Sequence, residues 1–147
     1  MPTTPIRTRA LQGVAVVALA TLATACGGSD SVRVVEADGR TALVQRLGSY
    51  GLDALIIGQV AVNDQGCFGL GHTDGSFHVA IWPPSFGLTA DGQLRNGQGE
   101  TLPLGVDVEL GGGAERFEEG YPELAELCLG ADSSEDAEVL RLQPLEG

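Results

Sequence analysis

The chain has 147 residues, and its 20 acidic and 8 basic side chains give a formal net charge of −12 at pH 7. This length suits a single domain with one hydrophobic core, and so acidic a surface repels a phosphate backbone. We therefore expect no nucleic-acid partner for this protein.

The first 25 residues have the three-part layout of an export signal. A basic head with Arg7 and Arg9 precedes an apolar run over residues 10–25. This run is shorter than the ~20 apolar residues that a membrane span needs, and Ala23-Thr24-Ala25 at its end is an A-x-A cleavage site. We predict that residues 1–25 are a signal peptide and that the mature chain begins at Cys26 with a net charge of about −14.

The segment Leu22-Ala23-Thr24-Ala25-Cys26 resembles the lipobox of bacterial lipoproteins. In that family the cysteine sulfur takes a diacylglyceryl group before cleavage. The resemblance implies an extracytoplasmic protein held at the cell membrane by lipid on Cys26, with residues 26–31 as a flexible tether. Acylation would leave an even pair of cysteines, Cys67 and Cys128, in an oxidising compartment. The alternative is ordinary secretion, in which cleavage exposes Cys26 but no lipid is attached.

Residues 32–53 fit two different structures. The sequence Val32-Arg33-Val34-Val35, followed by the Asp38-Gly39 turn, favours a β-hairpin. The apolar residues within 43–47, with Gly48 after them, fit a short helix that ends at a glycine equally well. The sequence leaves this segment open between a hairpin and a helix.

From residue 54 onward the pattern is typical of a β domain. Apolar residues alternate or run together in five segments bounded by turn residues, which predicts principal strands at 54–62, 67–70, 76–82, 106–110 and 138–143. Pro83-Pro84 is expected to end the third of these strands, and Gly111-Gly112-Gly113 the fourth. Between them, the turns Asp91-Gly92 and Asn96-Gly97 frame a small hairpin around Leu94.

One short helix is predicted at residues 122–128. Proline suits its first turn, and Leu124, Leu127 and Cys128 fall on one of its faces. Five strands, short turns and one helix predict an all-β fold, in the form of a small antiparallel five-stranded barrel or sandwich. The strand spacing is similar to that of OB barrels, although the helix comes before the last strand and not between the third and fourth.

Four features of this β domain resemble a family of small exported bacterial β domains. They are Cys67-Phe68-Gly69-Leu70, Trp82-Pro83-Pro84, the glycine-flanked strand at 105–113 and the second cysteine, Cys128, and the resemblance covers the chain from about residue 54. It implies a fold and a disulfide but no mechanism, since the family has no assigned activity. From the residues themselves, a Cys67–Cys128 disulfide is also the default outside the cytoplasm. Two reduced buried thiols are the alternative, and zinc ligation is less well supported.

Two further groups of residues are candidates for binding. His78 and Trp82 share one face of the strand at 76–82, where they predict either a partner-facing patch or a half-exposed histidine packed beside a tryptophan. Oxygen-rich loops in the acidic stretch 115–138 suit calcium, but the stretch lacks the EF-hand pattern and equally fits a solvated acidic face. His72, beside Asp74 in a turn, is expected to be solvated.

No catalytic motif is present in the sequence. It contains no G-x-S-x-G, H-E-x-x-H or P-loop pattern, so we predict no catalytic residue and no cofactor. The patterns favour a lipid-anchored, extracytoplasmic, non-enzymatic binding or accessory module of the bacterial cell envelope. It would contact an envelope protein or a wall component through a turn-rich end of the barrel or through His78 and Trp82. A small-ligand or calcium-binding lipoprotein that uses residues 115–138 is the alternative.

Overall fold

The computed structural model describes residues 31–48, 54–132 and 134–145. The predicted signal peptide at 1–25 and the predicted lipidation site, Cys26, lie outside these ranges. Within them the elements, in chain order, are β1 Val32–Ala37, β2 Arg40–Gln45, β3 Ala54–Val62, β4 Phe68–Gly71, β5 Phe77–Trp82, β6 Gly87–Leu88, β7 Leu94–Arg95, β8 Thr101–Leu102, β9 Asp107–Arg116, α1 Phe117–Gly120, α2 Pro122–Leu129 and β10 Glu138–Gln143. Neither described helix is long and apolar enough to cross a membrane.

Five strands close into a barrel in the order β3-β4-β5-β10-β9, with β9 pairing back onto β3. This is the strand order of an OB-type barrel, and it confirms the predicted all-β barrel. One pair of barrel strands departs from the predicted antiparallel arrangement, because β10 runs parallel to β5. That parallel pair brings the last strand of the chain beside the third strand of the barrel.

Of the segment left open between a hairpin and a helix, the described residues 32–45 form a hairpin. Its two turn residues, Asp38 and Gly39, have φ angles of +49° and +75°, as a two-residue hairpin turn with the right twist requires. The second strand of the hairpin, β2, pairs in parallel with the end of β5, where Leu43 lies opposite Ile81. The hairpin is therefore part of the same sheet as the barrel.

The described residues form two hydrophobic cores, one on each side of β5. Ala80 and Trp82 point into the barrel interior, which is completed by buried residues that include Val60, Phe68, Leu70, Leu94, Leu140 and Leu142. Val79 and Ile81 point outward and pack under the helices against residues that include Phe117, Tyr121, Leu124 and Ala125. A strand buried on both faces explains why residues 79–82 are continuously apolar.

The predicted helix is present as α2, and a one-turn helix, α1, precedes it. The described residues thus contain two α-helices, and a short 3-10 turn at Gly130–Asp132, where the sequence predicted one helix. The buried face of α2 consists of Leu124, Ala125 and Cys128, whereas Leu127 is 41% exposed. Leu127, expected on one face with Leu124 and Cys128, therefore lies outside the buried part of the helix.

The sequence predicted that the fourth barrel strand ends at Gly111-Gly112-Gly113, and this prediction is wrong. Strand β9 continues through them to Arg116 and pairs along this length with β10. A Cβ atom on Gly112 would lie 2.2 Å from the backbone oxygen of Arg141, and one on Gly111 would lie 2.9 Å from Cγ of Gln143. The glycines thus allow two strands to approach more closely than any side chain would permit.

The segment between β5 and β9 forms a second, three-stranded sheet in the order β6-β7-β8. It contains the predicted turns around Leu94, and Leu94 itself is fully buried in the barrel core. This small sheet lies at the chain position where OB barrels usually place their helix. It makes one end of the barrel rich in turns.

Candidate functional site

Cys67 and Cys128 form a disulfide, with their Cα atoms 5.6 Å apart. Both cysteines are buried. Asn63 reinforces the link, since its Nδ2 donates to the carbonyl oxygen of Cys128 at 2.6 Å and its Oδ1 accepts from the backbone N–H of Cys67 at 3.0 Å. The disulfide therefore fastens α2 to the turn between β3 and β4.

The outer face of β4 and β5 is not available as a binding groove. OB barrels bind oligonucleotides and oligosaccharides on the face of their second and third strands, which here are β4 and β5. In this protein Val79 and Ile81 on that face pack with Phe117, Leu124 and Ala125 from the segment between β9 and β10. A candidate site must therefore be sought at the ends of the barrel.

Trp82 does not belong to an exposed patch. It is 0% exposed, and it stacks on Phe86 inside the barrel with 5.6 Å between ring centroids. The prediction of a partner-facing patch at His78 and Trp82 is therefore wrong for Trp82, because β2 pairs beside it and the chain after Pro83 folds back over it. His78, at the other end of the strand, is half-buried.

His78 instead lies beside His72, with 5.2 Å between the ring centroids. The two histidines belong to the end of the barrel that carries the β4–β5 turn, where Asp74 accepts hydrogen bonds from both the hydroxyl and the backbone N–H of Ser76. The bond from the Ser76 hydroxyl is the largest of the effects that hold the pKa of Asp74 below its ordinary value, and the charge of His72 adds to them. His72 was predicted to be solvated and is half-buried.

The acidic stretch 115–138 is spread over several elements. Glu115 lies near the end of β9, where its Oε2 accepts from the Tyr121 hydroxyl at 3.3 Å and lies 3.7 Å from Nε of Arg141. Arg141 also donates to the Tyr121 hydroxyl, and its guanidinium carbon is 5.7 Å from the centre of the Tyr121 ring. Among the described residues, no three His, Cys, Asp or Glu side chains are grouped so as to hold a metal ion.

A pocket of about 150 Å³ opens at the turn-rich end of the barrel. Its apolar lining consists of Phe68, Leu94, Leu102, Pro103 and Leu104, and Arg40 and Gln93 complete it. Phe68 and Leu94 are fully buried and form the floor, whereas Leu104 is 49% exposed at the rim. The pocket therefore combines a buried apolar floor with a cationic side chain.

Arg40 is held at this pocket by its neighbours. Its Nη1 donates to the backbone oxygen of Gly92 at 3.2 Å, and its guanidinium carbon is 5.9 Å from the centre of the Phe68 ring. Its charge also contributes to lowering the pKa of Asp91, although the hydrogen bond from the Thr89 hydroxyl is the larger cause. Arg40 forms no salt bridge within 4.0 Å to any carboxylate in the described part of the chain.

Sequence reasoning pointed to the turn-rich end but missed the residues that make its pocket. Leu94 was singled out as the apolar residue of a turn-rich segment, and it is part of the pocket floor. Arg40 and Phe68 are 28 positions apart in the sequence, and no local pattern indicates that they meet. The one available signal was an arginine directly after the Asp38-Gly39 turn.

No protein family model, curated protein or solved structure matches this chain.

Proposed function

We propose that this protein is a lipid-anchored, extracytoplasmic, non-enzymatic binding module of the bacterial cell envelope. In this proposal lipid on Cys26 holds the protein at the membrane, and the turn-rich end of the barrel contacts an envelope protein or a wall component. The contact surface comprises the pocket beside Arg40 and its exposed rim at Leu104.

The observation that supports this proposal is the placement of two ends of the β1–β2 hairpin. At one end, the backbone N–H of Arg46 donates to the oxygen of Ser31 at 2.8 Å, and Ser31 is only five positions after Cys26 in the sequence. At the other end, Arg40 follows the hairpin turn and lines the pocket. A six-residue strand spans about 20 Å, so the hairpin separates the attachment end from the pocket end by roughly that distance.

This separation suits an anchored binding module. Five residues reach at most roughly 18 Å when extended, so a lipid on Cys26 would keep the Ser31 end close to the membrane surface. The pocket end, roughly 20 Å farther along the hairpin, would then be free to face away from the membrane toward a partner in the envelope.

The test is site-specific photo-cross-linking of the full-length protein in bacterial cells that process lipoproteins. The cross-linker is placed at Leu104 on the pocket rim and, as a matched control, at Leu127 on α2, which is also an exposed leucine. We expect a reproducible partner from position 104 and none from position 127. A partner captured only from position 127 would contradict the assignment of the turn-rich end.

The anchor is tested separately in the same cells. We expect the wild-type protein in the membrane fraction, with an intact mass that includes a diacylglyceryl group, and the Cys26→Ser variant outside that fraction. An unmodified Cys26 at the N-terminus of the mature wild-type protein would overturn the lipid anchor.

A further inference from the structure

The lining of the pocket restricts what can enter it. Phe68, Leu94, Leu102, Pro103 and Leu104 present only apolar side-chain surface to a space of about 150 Å³. A space of this size matches one benzene-sized group, and a polar group placed against these five side chains would find no hydrogen-bond partner among them. The part of a ligand that contacts them is therefore best matched by a single aromatic ring or a branched aliphatic group.

Arg40 restricts the charge of the part of the ligand that lies outside the apolar lining. A guanidinium has five N–H donors in a planar fork that matches a carboxylate, and the hydrogen bond to Gly92 uses the Nη1 end of that fork. The guanidinium lies over the Phe68 ring, and this contact holds it beside the apolar lining of the pocket. A cationic ligand would be repelled here. Asp91 is close enough for the charge of Arg40 to act on its carboxylate, but the two form no salt bridge within 4.0 Å, so Asp91 does not occupy the guanidinium. Acidic groups farther away than about 8 Å are screened at physiological salt.

We propose that this pocket binds a carboxylate carried on a compact apolar group, with the apolar group on the floor of Phe68 and Leu94 and the carboxylate on the guanidinium of Arg40. A free carboxylic acid and the C-terminal residue of a partner chain both have this chemistry. The inference deepens the proposed function, since it rests on the turn-rich end being the contact surface.

The experiment titrates purified full-length protein in detergent micelles with N-acetyl-L-leucine and with its amide, which keeps the side chain but lacks the charge. The tripeptide Gly-Gly-Leu, with a free or an amidated C-terminus, forms the second arm. Binding is followed through the methyl resonances of Leu94, Leu102 and Leu104, with Leu127 as a reporter remote from the pocket lining. We expect saturable shifts at the pocket leucines and binding of each amide weaker by about tenfold or more.

Two substitutions test the role assigned to Arg40. Arg40→Gln should bring the affinity for the acid down to that for the amide, whereas Arg95→Gln, on the neighbouring strand β7 and outside the pocket lining, should leave it unchanged. Because Arg40 also supports the hairpin turn, Leu104→Asp provides a second variant. It replaces an exposed rim residue and should weaken binding of the acid much more than binding of the amide.

The outcomes distinguish a free carboxylic acid from the C-terminus of a partner chain. They also distinguish the carboxylate pocket from the proposed binding module. Tighter binding of the free-carboxylate peptide than of N-acetyl-L-leucine supports a partner C-terminus, and equal binding supports a free acid. Equal affinity for acid and amide, or no saturable shift of the pocket leucines up to the solubility limit of the probes, overturns the inference. Neither result changes the cross-linking outcome at Leu104, which tests the binding module without reference to a carboxylate.

Discussion

Trp82 stacks on Phe86 with ring planes inclined by 17° and centroids 5.6 Å apart. The backbone N–H of Phe86 donates to the oxygen of Pro83 at 3.0 Å, so the turn that follows Trp82 brings Phe86 back over it. Both side chains are buried in the barrel core. Pro83 therefore does more than end β5, because its turn completes the packing around the single tryptophan of the chain.

Replacing Trp82 should lower the stability of the fold, because its side chain is buried in the barrel core. We expect Trp82→Ala to lower the free energy of unfolding by about 3–5 kcal/mol, the usual cost of removing a large buried aromatic side chain. Urea denaturation followed by far-ultraviolet circular dichroism measures this loss. Leu127→Ala on the exposed side of α2 is the control and should change stability by less than about 1 kcal/mol. A Trp82→Ala variant as stable as that control would contradict the buried position.

Loss of the Cys67–Cys128 disulfide should also destabilise the protein. The bond joins residues 61 positions apart, and in the chain-entropy model closing a loop of that length stabilises by about 4 kcal/mol. We expect the Cys67→Ser, Cys128→Ser double variant to lose about this much in urea denaturation, whereas Cys26→Ser should not. Two additional free thiols in unfolded, unreduced protein would show that the bond is absent.

The Tyr121 hydroxyl should contribute measurably to stability. It accepts from Arg141 and donates to Glu115, and it thereby links the start of α2 to β9 and β10. Tyr121→Phe keeps the ring under the guanidinium but removes both hydrogen bonds, so we expect a loss of about 2 kcal/mol in urea denaturation. Glu115→Gln keeps the shape of its side chain and should cost less than about 1 kcal/mol, since the ion pair is partly exposed. The opposite ranking would place the stabilisation in the ion pair and not in the tyrosine hydroxyl.

Gly112 should not tolerate a side chain. A Cβ atom there meets the backbone oxygen of Arg141, which cannot move without opening the β9–β10 pair. We expect Gly112→Ala to lower stability by about 3 kcal/mol in urea denaturation. Gly48→Ala is the matched control, because nothing lies within 4 Å of its added Cβ, and it should be close to wild type. If the two variants were equally stable, the close approach of the strands would be refuted.

The pKa of Asp91 should lie below the ordinary value of 3.8, chiefly because the Thr89 hydroxyl donates a hydrogen bond to its carboxylate. Since the pKa is lower in the folded than in the unfolded state, the resulting stabilisation is fully present above the unfolded value. It is lost as the pH falls through the folded value. A carboxyl carbon NMR titration should find that Thr89→Val raises the pKa of Asp91 toward 3.8. The pKa of Asp74, which depends on Ser76, should not move. An unchanged Asp91 pKa in Thr89→Val would exclude the hydroxyl as the cause.

Much of the fold follows from local patterns in the sequence. Alternating apolar residues identify the strands, and the Asp38-Gly39 and Asp74-Gly75 turns lie where the structure has them. The all-β barrel and the Cys67–Cys128 disulfide, both predicted from the sequence, are confirmed. The signal peptide, the lipid on Cys26 and the envelope function stay predictions.

The sequence by itself determined the presence of the five barrel strands, most of their turns and the pairing of Cys67 with Cys128, because each depends on residue spacing or on the number of cysteines. It left the first hairpin open and ended β9 too early. Tertiary structure alone decided which surfaces are free. The chain's own helices fill the outer face of β5, a returning turn buries Trp82, and β9 runs on through three glycines because β10 lies close beside it. The pocket likewise exists only because the fold brings Arg40 to Phe68. Contacts between residues far apart in the chain carry no local signature, so no pattern of neighbours could have predicted them.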